Sequence, residues 1–176
     1  MITYVKNVMN NCPDALFLKN ILKKYEIVEV KEAQFSLETT DLKQYFEKMP
    51  ENGLSISISD AELIYNSREA GACLGSKIWI YYATINDFER SKFNKITDFI
   101  TWRDQSCENL VLHELGDYLS KDKGHDDFKN NHTLKTTKDC VSIINFGILS
   151  TLAEKLDYAY SRKICPFCER KIIKGL

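Results

Sequence analysis

Residues 101–120 read as one helix, and the side chains around it dictate what has to surround it. At about 100° per residue with His113 at zero, Asp117 falls at about 40° and Glu114 at about 100°. Val111, Leu112, Leu115, Tyr118 and Leu119 fill the far arc. The helix should therefore bury one face and turn His113 and Asp117 together toward the other. Residues four apart are neighbours on a helix, so two such ligands can grip one metal ion. Glu114 then projects beside it, where it can activate a bound water. Polar residues on one helix side are also what a plain solvated face looks like, and a bare H-E-x-x-D recurs by chance. The surroundings favour the metal: His125 and His132 follow in a polar loop, and with His113 they are all the histidines of the chain.

The segments before this helix supply a sheet for its apolar face. Ile2–Val8 and Ile27–Val30 read as strands, with a helix between them that starts at Cys12-Pro13-Asp14 and runs to about Tyr25. Asp41 opens a short helix, with Gln44 as a weak capping partner. Leu54-Ser55-Ile56-Ser57-Ile58-Ser59 alternates strictly, as in a strand with one face buried and one exposed, at an edge or beside a cleft. Ala72-Cys73-Leu74 forms a short strand punctuated by Gly71 and Gly75. Lys77–Thr84 is apolar on both faces, as in a central strand. After the helix, 121–139 is a long polar loop of the kind that is functional or disordered. A last helix spans Phe146–Arg162. The 176 residues suit one compact domain.

Six cysteines in a chain without a signal-peptide pattern argue for metal ligands or buried thiols over disulfides. Cys165-x-x-Cys168 is half of a structural zinc site, with Pro166 shaping the turn between the sulfurs. Cys140 is the best third ligand, and His132 or Cys107 the fourth. A redox pair is the weaker reading, because the motif follows a helix and not a strand. A net charge of -1 argues against general nucleic-acid binding, although basic residues flank the cysteine knuckle. No run of about 18 apolar residues exists to cross a membrane, and a cytoplasmic location is expected.

In combination these pieces resemble the archaemetzincins. That family carries H-E-x-x-H-x-x-G-x-x-H followed at once by Cys, then C-V-M, an Asn-Phe-Ser-rich stretch, and C-x-x-C. The matching pieces are His113-Glu114, Cys140-Val141, Asn145-Phe146, Asp157 and Cys165/Cys168. The strands from Leu54 to Thr84 are similar to the family's sheet before its active helix. The chain departs at Asp117, where the family has its second histidine. Ser120 replaces the glycine, Lys123 stands at the third histidine, and Ser142 replaces the methionine of the turn. His125 lies two residues beyond the third position, while counting back from Cys140 makes His132 the nearer equivalent.

The resemblance implies an α+β, α/β-like mixed sheet of four or five strands: a metzincin-like zincin domain with a small C-terminal helical part pinned by zinc. Residues 1–120 would form the sheet and the active helix, and 121–176 the loop, helix and knuckle of the same domain. It implies a zinc-dependent peptidase in which metal-activated water attacks a peptide bond. Glu114 would be the general base, and His113, Asp117 and His125 the metal ligands, with His132 as substitute for the last. A second zinc would sit on Cys140, Cys165, Cys168 and His132. An extended peptide or protein substrate would pair with strand Leu54–Ser59 or Lys77–Thr84 lining the cleft. Asp117 adds negative charge, which weakens the metal's Lewis acidity. The alternatives are a catalytically inactive metal-binding or interaction protein of the same descent, and an adaptor using the knuckle.

Overall fold

The computed structural model describes residues 1–27, 29–65, 68–85, 92–119, 140, 149 and 151–176. Strand β1 (Ile2–Asn7) leads through α1 (Ala15–Lys23) to β2 (Val30–Phe35), and α2 (Leu42–Lys48) leads to β3 (Leu54–Ser59). Asp14 and Asp41 cap the two helices, accepting from Phe17 N and from Lys43 N and Gln44 N. Strands β4 (Gly71–Leu74) and β5 (Lys77–Tyr81) form a tight antiparallel pair, turned through Gly75 at φ +61°. The sheet order is β2-β1-β3-β5-β4, with the first four strands parallel. The fold is mixed α+β, with one five-stranded mixed sheet.

Strand β3 corrects its sequence reading twice. It lies inside the sheet, between β1 and β5, and not at an edge. Both of its faces are buried, since all six residues are covered. Ile56 and Ile58 carry one face. On the other, Tyr45 of α2 meets Ser57 Oγ at 2.9 Å and Ser59 Oγ at 3.2 Å, and Trp79 Nε1 donates to Ser59 Oγ at 3.0 Å. Buried hydroxyls are tolerated when their hydrogen bonds are made, so strict alternation here separates two helix layers instead of core from water. The second strand also starts later than expected, at Val30.

Helix α3 (Ile96–Leu119) begins five residues before its expected start. It is buried continuously from Asn109 to Gly116, which overturns the expected single buried face. The reason is a second packing partner opposite the sheet. Helix α4 (Leu152–Tyr160), capped by a Thr151–Glu154 box, is fixed to α3 by three side chains. Trp102 Nε1 donates to Asp157 Oδ1 at 2.8 Å, Ser106 Oγ to the Leu156 carbonyl at 3.1 Å, and Asn109 Nδ2 to the Ala159 and Arg162 carbonyls at 2.8 Å each. The cysteine tail is itself helical: α5 (Pro166–Gly175) starts at Cys165, with Pro166 in its first turn. Gly175 of α5 lies on Leu119 at the end of α3, where an added Cβ would come 2.7 Å from Leu119 Cδ2. Among the described residues, no helix is long and apolar enough to cross a membrane.

Candidate functional site

The sheet and α3 meet at Glu114. Its side chain is buried, and its carboxyl lies against the backbone of β4: a Cβ built on Gly71 would stand 2.8 Å from Glu114 Oε1. The edge strand beside the helix site is therefore β4, antiparallel to β5, which also packs on α3; the sequence pointed to β3 or β5. Both of those strands are flanked on two sides by neighbours. Gly71 reads in sequence as punctuation. Its strand setting was the usable signal, since a glycine inside a strand marks a close approach of another group.

His113 is buried and Asp117 is partly exposed, with His113 Nε2 3.8 Å from Asp117 Oδ2. That is too long for a hydrogen bond. It is slightly wider than the roughly 3.3 Å between two ligand atoms of a tetrahedral ion with bonds of about 2.0–2.1 Å. A small rotation of either side chain closes the difference, so the pair fits an ion of zinc's size. Burial drives the Glu114 pKa well above the usual carboxylate range, and the nearby Asp117 and Glu69 carboxylates add to it. A divalent cation at His113 and Asp117 would act in the opposite direction and favour the ionised form of Glu114. The remaining helix-site candidates, His125 and His132, lie outside the described residues.

The second cluster is built by α5. Cys165 sits at its N-cap and Cys168 in its first turn, which turns both sulfurs to one side of the helix start. Cys140 joins them through a bridge to Lys163. The Cys140 thiol contacts Cys168 Sγ at 3.6 Å, and all three sulfurs lie within 4.8 Å of one another, buried. Sulfurs around a tetrahedral zinc with bonds of about 2.3 Å stand roughly 3.8 Å apart, so this trio fits a metal closely.

Cys107, the other fourth-ligand candidate, is excluded by position. It points from α3 toward the sheet, within electrostatic reach of Tyr4 and Tyr82, and burial raises its thiol pKa. It takes no part in the cluster. Asp157 is a docking residue: it takes the Trp102 indole and pairs with Lys92. Two further residues that the sequence did not single out meet at the entry of β4, and one of them, Glu69, acts on Glu114. Glu69 precedes β4, and the Lys155 ammonium donates to the Arg68 carbonyl at 2.6 Å and lies 3.7 Å from Glu69 Oε2.

Comparison of the chain with family models, with curated proteins and with solved structures finds no match.

Proposed function

We propose that the chain is a zinc-dependent metallopeptidase of archaemetzincin type, with a metzincin-like zincin domain. His113 and Asp117 serve as metal ligands, and Glu114 as general base. The third ligand is His125, with His132 as its substitute. The observation that carries this reading is the seat of Glu114: its carboxyl lies under the edge strand β4, one residue from His113 and one helical turn from Asp117. A peptide extended along β4 by main-chain pairing would pass the carboxyl that has to take a proton. When bound, zinc would supply the Lewis acidity that activates water and polarises the peptide carbonyl. Cys140, Cys165 and Cys168 would hold a second, structural zinc, with His132 the fourth-ligand candidate if it is not used at the helix. The protein acts on peptides rather than nucleic acid, and in the cytoplasm.

One observation favours the second reading, an inactive metal-binding or interaction protein. Glu114 is buried, and its carboxyl lies against the backbone of β4. A carboxyl covered in this way is poorly placed to take a proton from water. Cleavage of a peptide library with added zinc separates the two. The peptidase reading expects turnover that Glu114→Gln lowers by about 10²-fold or more. Wild-type cleavage no higher than the Glu114→Gln control leaves only the second reading.

A further inference from the structure

Helices α3 and α4 and strand β4 meet pairwise, and each pair is joined by named contacts. Helices α3 and α4 are joined by Ser106 and Asn109. Helix α3 and β4 are joined where Gly71 admits the Glu114 carboxyl. The third side, α4 to β4, is made by Lys155. From α4 its ammonium reaches the Arg68 carbonyl, three residues before Gly71, and the Glu69 carboxylate.

We propose that Lys155 is a positioning residue for the Glu114 site, clamping the entry of β4 to α4 so that Gly71 stays seated on the Glu114 carboxyl. Lys155 is 3% exposed. A buried ammonium is costly, and an apolar side chain of similar length would pack there without that penalty. What the ammonium adds is direction: a bond to one main-chain carbonyl at the mouth of a four-residue strand. Other ties on this entry are Glu69 N to the Leu63 carbonyl at 3.1 Å, Tyr81 N to the Ala70 carbonyl at 2.9 Å, and the Arg68–Glu62 ion pair. The Ala70 bond holds the entry to β5 and the others hold it to the segment after β3; Lys155 holds it to α4. Glu69, which Lys155 draws toward α4, is also one of the carboxylates facing Glu114. So buried a cation cannot meet substrate, and it acts through β4.

The consequence for turnover rests on the peptidase reading; the effect on the strand does not. The test is amide hydrogen exchange on the full chain as wild type, Lys155→Met and Lys155→Arg, with peptide cleavage measured alongside. Lys155→Met should speed exchange at Gly71–Leu74 by about tenfold while β1 and β3 stay within about twofold. Lys155→Arg keeps a cationic donor and should return β4 to within about threefold of wild type. Turnover should fall about tenfold in Lys155→Met and recover in Lys155→Arg. Unchanged β4 exchange, or equal acceleration at β1, β3 and β4, overturns the proposal. If Lys155→Met does not fold, Lys155→Gln, which is neutral and too short to reach the Arg68 carbonyl, decides: faster β4 exchange supports the clamp and unchanged exchange overturns it. A wild type without cleavage would sink the peptidase reading, while the exchange data would still decide the role of Lys155.

Discussion

At the scale of residues, the chemistry of the helix site depends on one missing methyl group. Gly71→Ala would put a Cβ 2.8 Å from Glu114 Oε1 and 3.3 Å from Ile80 Cδ1. Either the carboxyl turns away or β4 moves. Overpacking of this kind costs about 1–3 kcal/mol, so a urea titration should show a loss of that size. Under the peptidase reading, cleavage should fall more steeply than stability. A Gly71→Ala protein with wild-type turnover would show that the carboxyl need not sit there. His113, Glu114 and Asp117 were legible as a group because their spacing is set within one helix. Gly71, Glu69 and Lys155 were not legible. Where they meet is fixed by how β4 and α4 are packed against α3, which no local period encodes.

At the scale of elements, the α3–α4 joint rests on Asn109, whose amide donates to two carbonyls from within the core. Asn109→Ala removes a donor from both, although the Ala159 carbonyl still accepts from Arg162 N at 3.0 Å, and should destabilise by about 1–3 kcal/mol in denaturant unfolding. A loss below about 0.5 kcal/mol would show that other acceptors or donors take over. The sequence indicated the cysteine knuckle but not the helix it begins. Pro166 looked like a turn residue between two sulfurs, and it is equally suited to the first turn of a helix. Because α5 carries two of the three sulfurs and also lies on Leu119, metal removal should be felt beyond the cluster. A chelator is expected to strip metal and lower the melting temperature of wild type. Cys165→Ser should start low and respond little. Equal melting of wild type with and without chelator would deny the cluster a structural metal.

At the scale of the whole molecule, the sheet and its order make the two helix layers unequal. One face of the sheet holds α2 over a hydroxyl network, and the other holds α3 with its acidic site. The mixed sheet and the helix after it were readable from β-formers and periodicity. The serine face was misread, because alternation alone cannot distinguish water from a tyrosine hydroxyl as the partner. Buried tyrosines also make the fold sensitive to alkali. Burial and nearby acids hold Tyr25 and Tyr45 at about 12, against an ordinary value of 10.0. Above pH 10 the unfolded chain releases these protons and the folded chain keeps them. The stabilisation is therefore complete below pH 10 and declines as pH rises toward 12. Melting temperatures measured between pH 8 and 12 should hold and then drop over that interval. Tyr45→Phe should flatten the drop, and an unchanged slope in that variant would rule Tyr45 out as a cause.

The meeting of α5 with both Leu119 and Cys140 has a consequence in polymer statistics. Chain positions 119 and 140 are each fixed to the same short helix, Leu119 against Gly175 and Cys140 against Cys168. Two positions far apart in sequence are thus held in place through a third element. A metal held by Cys140, Cys165 and Cys168 would act as a cross-link of the chain, as a disulfide does, and would lower the entropy of the unfolded state. Its loss would then loosen the seat of α5 on the end of α3 as well as the cluster itself.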